Sequence, residues 1–383
     1  MRRILRTLVA VGAAVSAVVV GAGSPASAGS LCDSSFHVFT TPNASSGGTT
    51  LDAVAAFSPT NAWAVGTGNG EGFSIHWNGT NWSEVSVPVV AGGDQLFAVA
   101  MAGAHDLWAV GVFTNAHGKA RSLALHRTGS TWVHVPTPNV GKGPNSLFRL
   151  SVVAPDDVWA AGEGTVGGDA RALVLHWNGT RWTKVDFPTV IDGQNFMEGM
   201  TAAGPNDVWV VLQLLGASGH DRAATFHRVG SSWHRVPFTQ PTAFDVSPRD
   251  LFALGHNSIW MAGFYDDTGA AVPMLEHWNG VTWKQFTGVN PTSFVFLEGL
   301  AALGPHAVYT FGNYEDGSTT HSLVEKFNGT AWHQVSSEDV GGADLTVLDG
   351  GAAVSAGSQH RVFTAGSSET GGVRHSVVEI SCP

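Results

Sequence analysis

The feature that most restricts this chain is a tryptophan followed by a small apolar pair and usually a glycine, recurring about every fifty residues. It appears as Trp63-Ala-Val-Gly66, Trp108-Ala-Val-Gly111, Trp159-Ala-Ala-Gly162, Trp209-Val-Val-Leu212 and Trp260-Met-Ala-Gly263. Tyr309-Thr-Phe-Gly312 and Phe363-Thr-Ala-Gly366 are weaker copies. A second marker follows each of the first six: HWNGTNW (76–82), HRTGSTW (126–132), HWNGTRW (176–182), HRVGSSW (227–233), HWNGVTW (277–283) and KFNGTAW (326–332). One structural unit is therefore written seven times. Of 383 residues, 48 are glycine, 43% are hydrophobic and 13% charged, which is too apolar for a disordered chain and too glycine-rich for a helical one.

Each unit reads as four short strands. A small apolar strand (Leu51 to Ala56 in the first copy) leads through a Ser58-Pro59 turn to the Trp-Ala-Val-Gly strand. A glycine-rich loop leads to the third strand, Phe73 to Trp77, and Asn78-Gly79 makes a tight hairpin into the fourth, led by Trp82. Seven such units predict an all-β, seven-bladed β-propeller of four-stranded antiparallel blades. The seventh unit lacks a fourth strand, and the segment Phe36 to Asn43 aligns without a gap on the fourth strand Trp132 to Asn139. The amino-terminal strand is thus expected to complete the last blade and remove the open edges.

Residues 1–28 read as a secretory signal: a basic start (MRRILR), an apolar run from Leu8 to Val20, and a small-x-small site at Ala26-Ser27-Ala28. A membrane anchor is the competing reading, but the run is short and interrupted by Gly12 and Ser16. The expectation is a secreted, extracellular monomer spanning 29–383, with no membrane attachment after cleavage. Cys32 and Cys382, the only cysteines, both fall at the hairpin position occupied by Asn78 in the first unit. They are expected to form a disulfide that replaces the missing turn; a redox-active pair is disfavoured because Cys-x-x-Cys spacing is absent.

The Trp-Ala-Val-Gly and His-Trp-Asn-Gly-Thr-x-Trp units resemble those of secreted bacterial propellers related in style to kelch and galactose-oxidase-type repeats. The Asn-Gly-Thr-x-Trp hairpin is also similar to the Asp-box of sialidase-like propellers, with shorter spacing and Asn in place of Asp. The resemblance implies a fold and transfers no catalytic residue, because propellers host lectins, lyases, hydrolases and scaffolds alike.

Residues at recurrent positions are architectural, and subtracting them leaves candidates for function. All fourteen tryptophans fall at recurrent strand positions, as do His76, His126, His176, His227 and His277, which are too widely spread around a ring to share one ion. Eleven positions before each marker aromatic the series runs Asp52, Phe97, Phe148, Glu198, Arg249, Glu298, Ala352. These side chains are expected to ring the mouth of the central channel, with Glu198, Arg249 and Glu298 placed to hold a polar ligand or to shift one another's pKa; a solvated, charge-balanced rim is the plain alternative.

Five positions after the marker, Tyr265 precedes Asp266 and Asp267, and Tyr314 precedes Glu315 and Asp316. An aromatic ring beside carboxylates suits a sugar or a cation, and His220, Arg222 and Arg171 in neighbouring loops are placed to join it; ordinary loop decoration explains the same residues. No spaced calcium loop, no metal signature and no cofactor motif is present. A net charge of −11 leaves no nucleic-acid surface. The leading expectation is a non-catalytic binding module for a glycan or another extracellular ligand, a protein included. A polysaccharide hydrolase or lyase using Glu198, Glu298 and Arg249, and a protein-binding scaffold, are the alternatives.

Overall fold

The computed structural model describes residues 33–44, 48–90, 92–188, 194–215, 220–267 and 269–383. The expected signal at 1–28 and Cys32 lie outside them. Strand β1 is His37–Phe39. The first unit holds β2 (Thr49–Ser58), β3 (Asn61–Gly68), β4 (Glu71–Trp77) and β5 (Trp82–Glu84). The second holds β6 (Asp94–Gly103), β7 (Asp106–Thr114), β8 (Ala120–Thr128) and β9 (Thr131–His134), and the third β10 (Asn145–Ala154), β11 (Asp157–Val166), β12 (Asp169–Trp177) and β13 (Trp182–Val185). The fourth holds β14 (Asn195–Gly204), β15 (Asp207–Leu214), β16 (Arg222–Val229) and β17 (Ser232–Val236). The fifth holds β18 (Asp245–Gly255), β19 (Ser258–Asp267), β20 (Ala270–Trp278) and β21 (Trp283–Phe286). Then come β22 (Val295–Gly304), β23 (Ala307–Asp316), β24 (Thr319–Phe327), β25 (Trp332–Val335), β26 (Leu345–Ala356), β27 (Gln359–Thr370) and β28 (Val373–Ser381).

The expectation of seven separate four-stranded blades is corrected. Five four-stranded sheets stand apart, β2–β5 through β18–β21, while β22–β28 and β1 form a single eight-stranded sheet. The cause is local. Leu345, the first residue of β26, makes a parallel bridge to Thr320 of β24 and carries the sheet across the unit boundary. At the preceding boundary the corresponding bridge, Ala271 to Phe294, falls one residue before β22 begins and stays isolated. The inner strands β2, β6, β10, β14, β18, β22 and β26 pack in succession, and β26 returns to β2, which makes the array a closed propeller ring.

The joint lies between the first strand and the last. Strand β1 pairs antiparallel with β28, His37 opposite Ile380 and Phe39 opposite Val378. The Ser376 N–H donates to Asn43 Oδ1 at 2.7 Å, Thr41 Oγ1 donates to the Ser376 carbonyl at 2.9 Å, and the Cys382 N–H donates to the Asp33 carbonyl at 2.8 Å.

The recurrent residues are structural. Each marker tryptophan is at most 2% exposed and lies against the histidine opposite it in the third strand, four of them stacked, as Trp108 is on His126 at 3.9 Å, and Trp159 tilted on His176 at 4.4 Å. The same indole meets Trp182 of the next unit edge-on at 5.1 Å, so one side chain joins strand to strand and unit to unit. Trp108→Ala is expected to cost roughly 3–5 kcal/mol, read as a lower denaturant midpoint. The marker glycine has a separate reason: the inner strand runs over it so closely that a Cβ on Gly111 would lie 1.8 Å from the Gln95 carbonyl oxygen.

Candidate binding site at the channel mouth

Every inner strand carries a β-bulge that sets one residue out of register with the second strand. In the first six units that residue is Asp52, Phe97, Phe148, Glu198, Arg249 and Glu298. A bulge bends the strand and re-aims the side chain it carries, which is how one register position comes to hold unrelated residue types. In the last unit the bulge falls between Leu348 and Gly350, so the seventh member is Asp349, and Ala352 instead lies opposite the marker Phe363. The β26–β27 hairpin is longer than its counterparts, which shifted the count taken from the marker.

Arg249 organises one arc of this ring. Its Nη1 lies 3.3 Å from Glu198 Oε2 and its Nε 3.4 Å from Glu298 Oε2. Its guanidinium stands 4.8 Å over the Phe264 ring, a cation–π contact in the second strand of its own unit. Burial works against the Arg249 charge, and Glu298 and Glu198 outweigh it and hold the group protonated. Burial pushes the Glu198 carboxyl up, opposed by Arg249 and Arg149. Arg149 reaches across the fourth unit, donating to the Arg249 carbonyl at 2.7 Å and to the Phe148 carbonyl at 3.0 Å. The adjoining arc is aromatic: Phe97 and Phe148, both half-buried, meet at 5.5 Å.

Two further acids belong to this region. Burial pushes Glu163 up to about 7, although its Oε1 accepts the Met197 N–H at 3.0 Å; Glu198 adds to the shift. Burial also lifts Asp250 to about 6 against the pull of Arg149, and its two oxygens accept the Leu251 and Leu300 N–H groups, stitching the fifth unit to the sixth. Sequence reasoning missed Glu163, Arg149, Asp250 and Asp349. Four positions after the marker, the series Thr67, Val112, Glu163, Gln213, Phe264, Asn313, Ser367 contains a single acid, and that signal was available.

Glu198, Arg249 and Glu298 are brought together, with Asp52 and Asp349 at the same bulge position. The tyrosines are elsewhere. Tyr265 is 3% exposed, and its hydroxyl donates to Glu276 Oε1 at 3.2 Å, so it is a core residue whose pKa burial drives up. Asp266 lies opposite Asp245 in the ladder, and Asp267 opposite Ala270. Tyr314 is half-buried and stacks on His321 at 5.0 Å; Glu315 and Asp316 beside it are exposed. His220 Nδ1 is 3.1 Å from Asp245 Oδ1, Arg222 braces the Pro241 and Phe244 carbonyls, and Arg171 pairs with Asp169 at 3.1 Å. Among the described residues no cluster of His, Cys, Asp and Glu has metal-holding geometry, and no helix is long and apolar enough to cross a membrane.

A closed ring of four-stranded units, bulged at one position around its axis, defines a β-propeller. No family model and no curated protein matches this chain. Among solved structures it is similar to YCF48 bound to D1 peptide, at a TM-score of 0.53 and 13% identity, over 92% of this chain and 97% of that one. It is similar also to the polysaccharide lyase Uly1, at 0.54 and 10%, over 91% and 97%. The third is a PL25 ulvan lyase, at 0.57 and 9%, over 88% and 92%. At these identities the similarity shows the fold alone.

Proposed function

We propose that this chain is a secreted, non-catalytic propeller module that binds a glycan at its channel mouth. The observation that carries the reading is the division of the bulge ring into an aromatic arc, Phe97 and Phe148, and a charged arc centred on the Arg249 clamp. A pyranose has one apolar face and a rim of hydroxyls, and such a mouth offers a surface for each. The similar polysaccharide lyases supply independent support for a glycan-related propeller. The same chain is proposed to be a monomer whose Cys32–Cys382 bond locks the joint; Cys382 is disulfide-bonded, and its backbone is held by Asp33.

Glycan-array screening followed by titration of the best oligosaccharide tests the site. Glu298→Ala and Phe148→Ala are each expected to weaken binding by about tenfold, near 1.4 kcal/mol. Unchanged affinity in both would remove the mouth from consideration.

Catalysis is the second reading. Glu198 and Glu298 touch one guanidinium at 3.3 and 3.4 Å, which keeps the carboxylates within roughly the 10 Å span of glycosidase pairs. Binding is preferred because Arg249 engages both acids at once. New reducing ends or unsaturated products from a bound polysaccharide would reverse that preference.

A further inference from the structure

The joint between β1 and β28 is built from residues that break the repeat. Three positions before the fourth-strand aromatic, six units carry the hairpin glycine, whereas Asp33 stands there before Phe36. Six positions after that aromatic, the series Pro42, Pro88, Pro138, Pro188, Thr239, Val289 and Glu338 contains a single acid. Both departures meet at one side chain. His37, whose side chain is 14% exposed, places Nδ1 2.7 Å from Glu338 Oε1 and Nε2 3.1 Å from Asp33 Oδ1. An ionised carboxylate only accepts, so both ring nitrogens carry hydrogen when both contacts hold, and that ring is the charged imidazolium. Glu338 has a second task. Its Oε2 accepts the Val38 N–H at 3.0 Å and the Ser336 carbonyl accepts the Phe36 N–H at 2.8 Å, so segment 336–338 runs along the outer edge of β1.

We infer that this joint is a pH latch: with the His37 ring charged, β1 is clamped between β28 and segment 336–338, and with the ring neutral, β1 detaches while the units behind it stay folded. A neutral imidazole donates from one nitrogen only, so one carboxylate then faces a lone pair and the clamp loses a side. The Glu338 hydrogen bond raises the His37 pKa above its usual 6.5, against burial and with Asp33 adding to the rise. The stabilisation is therefore complete below about 6.5 and is lost as the pH climbs through the folded value. Glu379 acts in the same direction. It is fully buried opposite Val38, where burial drives its carboxyl well above the usual carboxylate range, and its ionisation sets a buried charge against the same strand. Among the described residues, the charged groups facing His37 are Asp33 and Glu338, and those facing Glu379 are Asp339 and Glu338. Strand β1 is three residues long, and so short an edge strand opens at low cost, which lets one contact decide its population. The latch needs no ligand at the mouth.

Hydrogen–deuterium exchange of peptides covering residues 36–43 tests the latch. The parent protein is compared with His37→Gln at the same pH, so that the intrinsic exchange rate and any change in global stability cancel. Strand β1 of the parent is expected to be about fivefold better protected than that of His37→Gln at pH 5.5, and equally protected at pH 8.5. Glu338→Gln keeps an acceptor for the Val38 N–H and removes the charge beside the ring, and it is expected to show the same loss at pH 5.5. Glu338 is exposed, so its variant decides the matter even where His37→Gln folds poorly. Equal protection in the parent and the variants at pH 5.5, a parent advantage that persists undiminished at pH 8.5, or the same advantage in peptides of β8 as in β1 would each overturn the latch.

Discussion

Raising the pH from 6 to 8.5 is expected to lower the melting temperature of this protein by about 5 °C or more. The third strands explain why. One residue before the partner of the marker aromatic, the first four units carry Ile75, Leu125, Leu175 and Phe226, and the last three carry Glu276, Glu325 and Glu379. All three acids are at most 2% exposed. Burial pushes Glu276 up to about 7 against the Tyr265 hydrogen bond, and Glu325 up to about 7 against the Val289 N–H. Burial drives Glu379 well above the usual carboxylate range, with Asp339 and Glu338 adding to the shift. A raised carboxyl pKa means that the folded state holds its proton where the unfolded state has lost it. Stability is therefore highest at mildly acidic pH and falls as the pH rises through the folded values near 7. Glu163 adds to the same trend. Each group held at about 7 forfeits a little over 1 kcal/mol across the interval. His76, His134 and His277, whose pKa values burial lowers, act in the opposite sense below about 6.5 and so offset part of the loss at the acidic end of the interval. Glu325→Gln keeps an acceptor for the Val289 N–H and removes the charge, so it is expected to raise the melting temperature at pH 8.5 and to leave it nearly unchanged at pH 6. A flat profile from pH 6 to 8.5 in the parent protein would contradict this reading.

Arg249→Met carries the second large effect. Removing one member of a buried charge cluster leaves the others unneutralised, typically at a cost of 3–5 kcal/mol. Here the side chains of Arg249, Glu198 and Glu298 keep 26%, 17% and 27% exposure, so solvent screening reduces the expected cost to roughly 2–4 kcal/mol. The signature is its dependence on partners. Adding Glu198→Gln to Arg249→Met is expected to restore part of the lost stability, and a thermodynamic cycle over the two positions gives the coupling directly. Strict additivity would mean that the clamp is geometric only. The same variant is expected to abolish glycan binding at the mouth, while the partly restored double variant remains unable to bind.

The four-strand unit, the propeller class and the architectural use of the tryptophans were legible because each rests on a residue type repeated at fixed spacing. The number of separate blades was not. It turns on whether one backbone bridge, Thr320 to Leu345, falls inside a strand or beside it, and no side chain announces that. At the mouth, the shared position of Glu198, Arg249 and Glu298 could be counted from the marker because six hairpins have equal length. The count failed in the last unit, where the longer β26–β27 hairpin puts Asp349 at the bulge. Tyr265 and Tyr314 looked equivalent in sequence, yet Glu276 draws the first into the core and His321 holds the second partly exposed. The partner that decides each case lies on the adjoining third strand, outside the segment that singled them out.

Hydrogen–deuterium exchange at saturating oligosaccharide tests the mouth assignment most directly. The account predicts slowed exchange in peptides covering the bulges at Phe148, Glu198, Arg249 and Glu298, with the Asn78-Gly79 and Asn178-Gly179 hairpins unchanged. Protection confined to those hairpins, with the bulges exchanging as in the free protein, would contradict it.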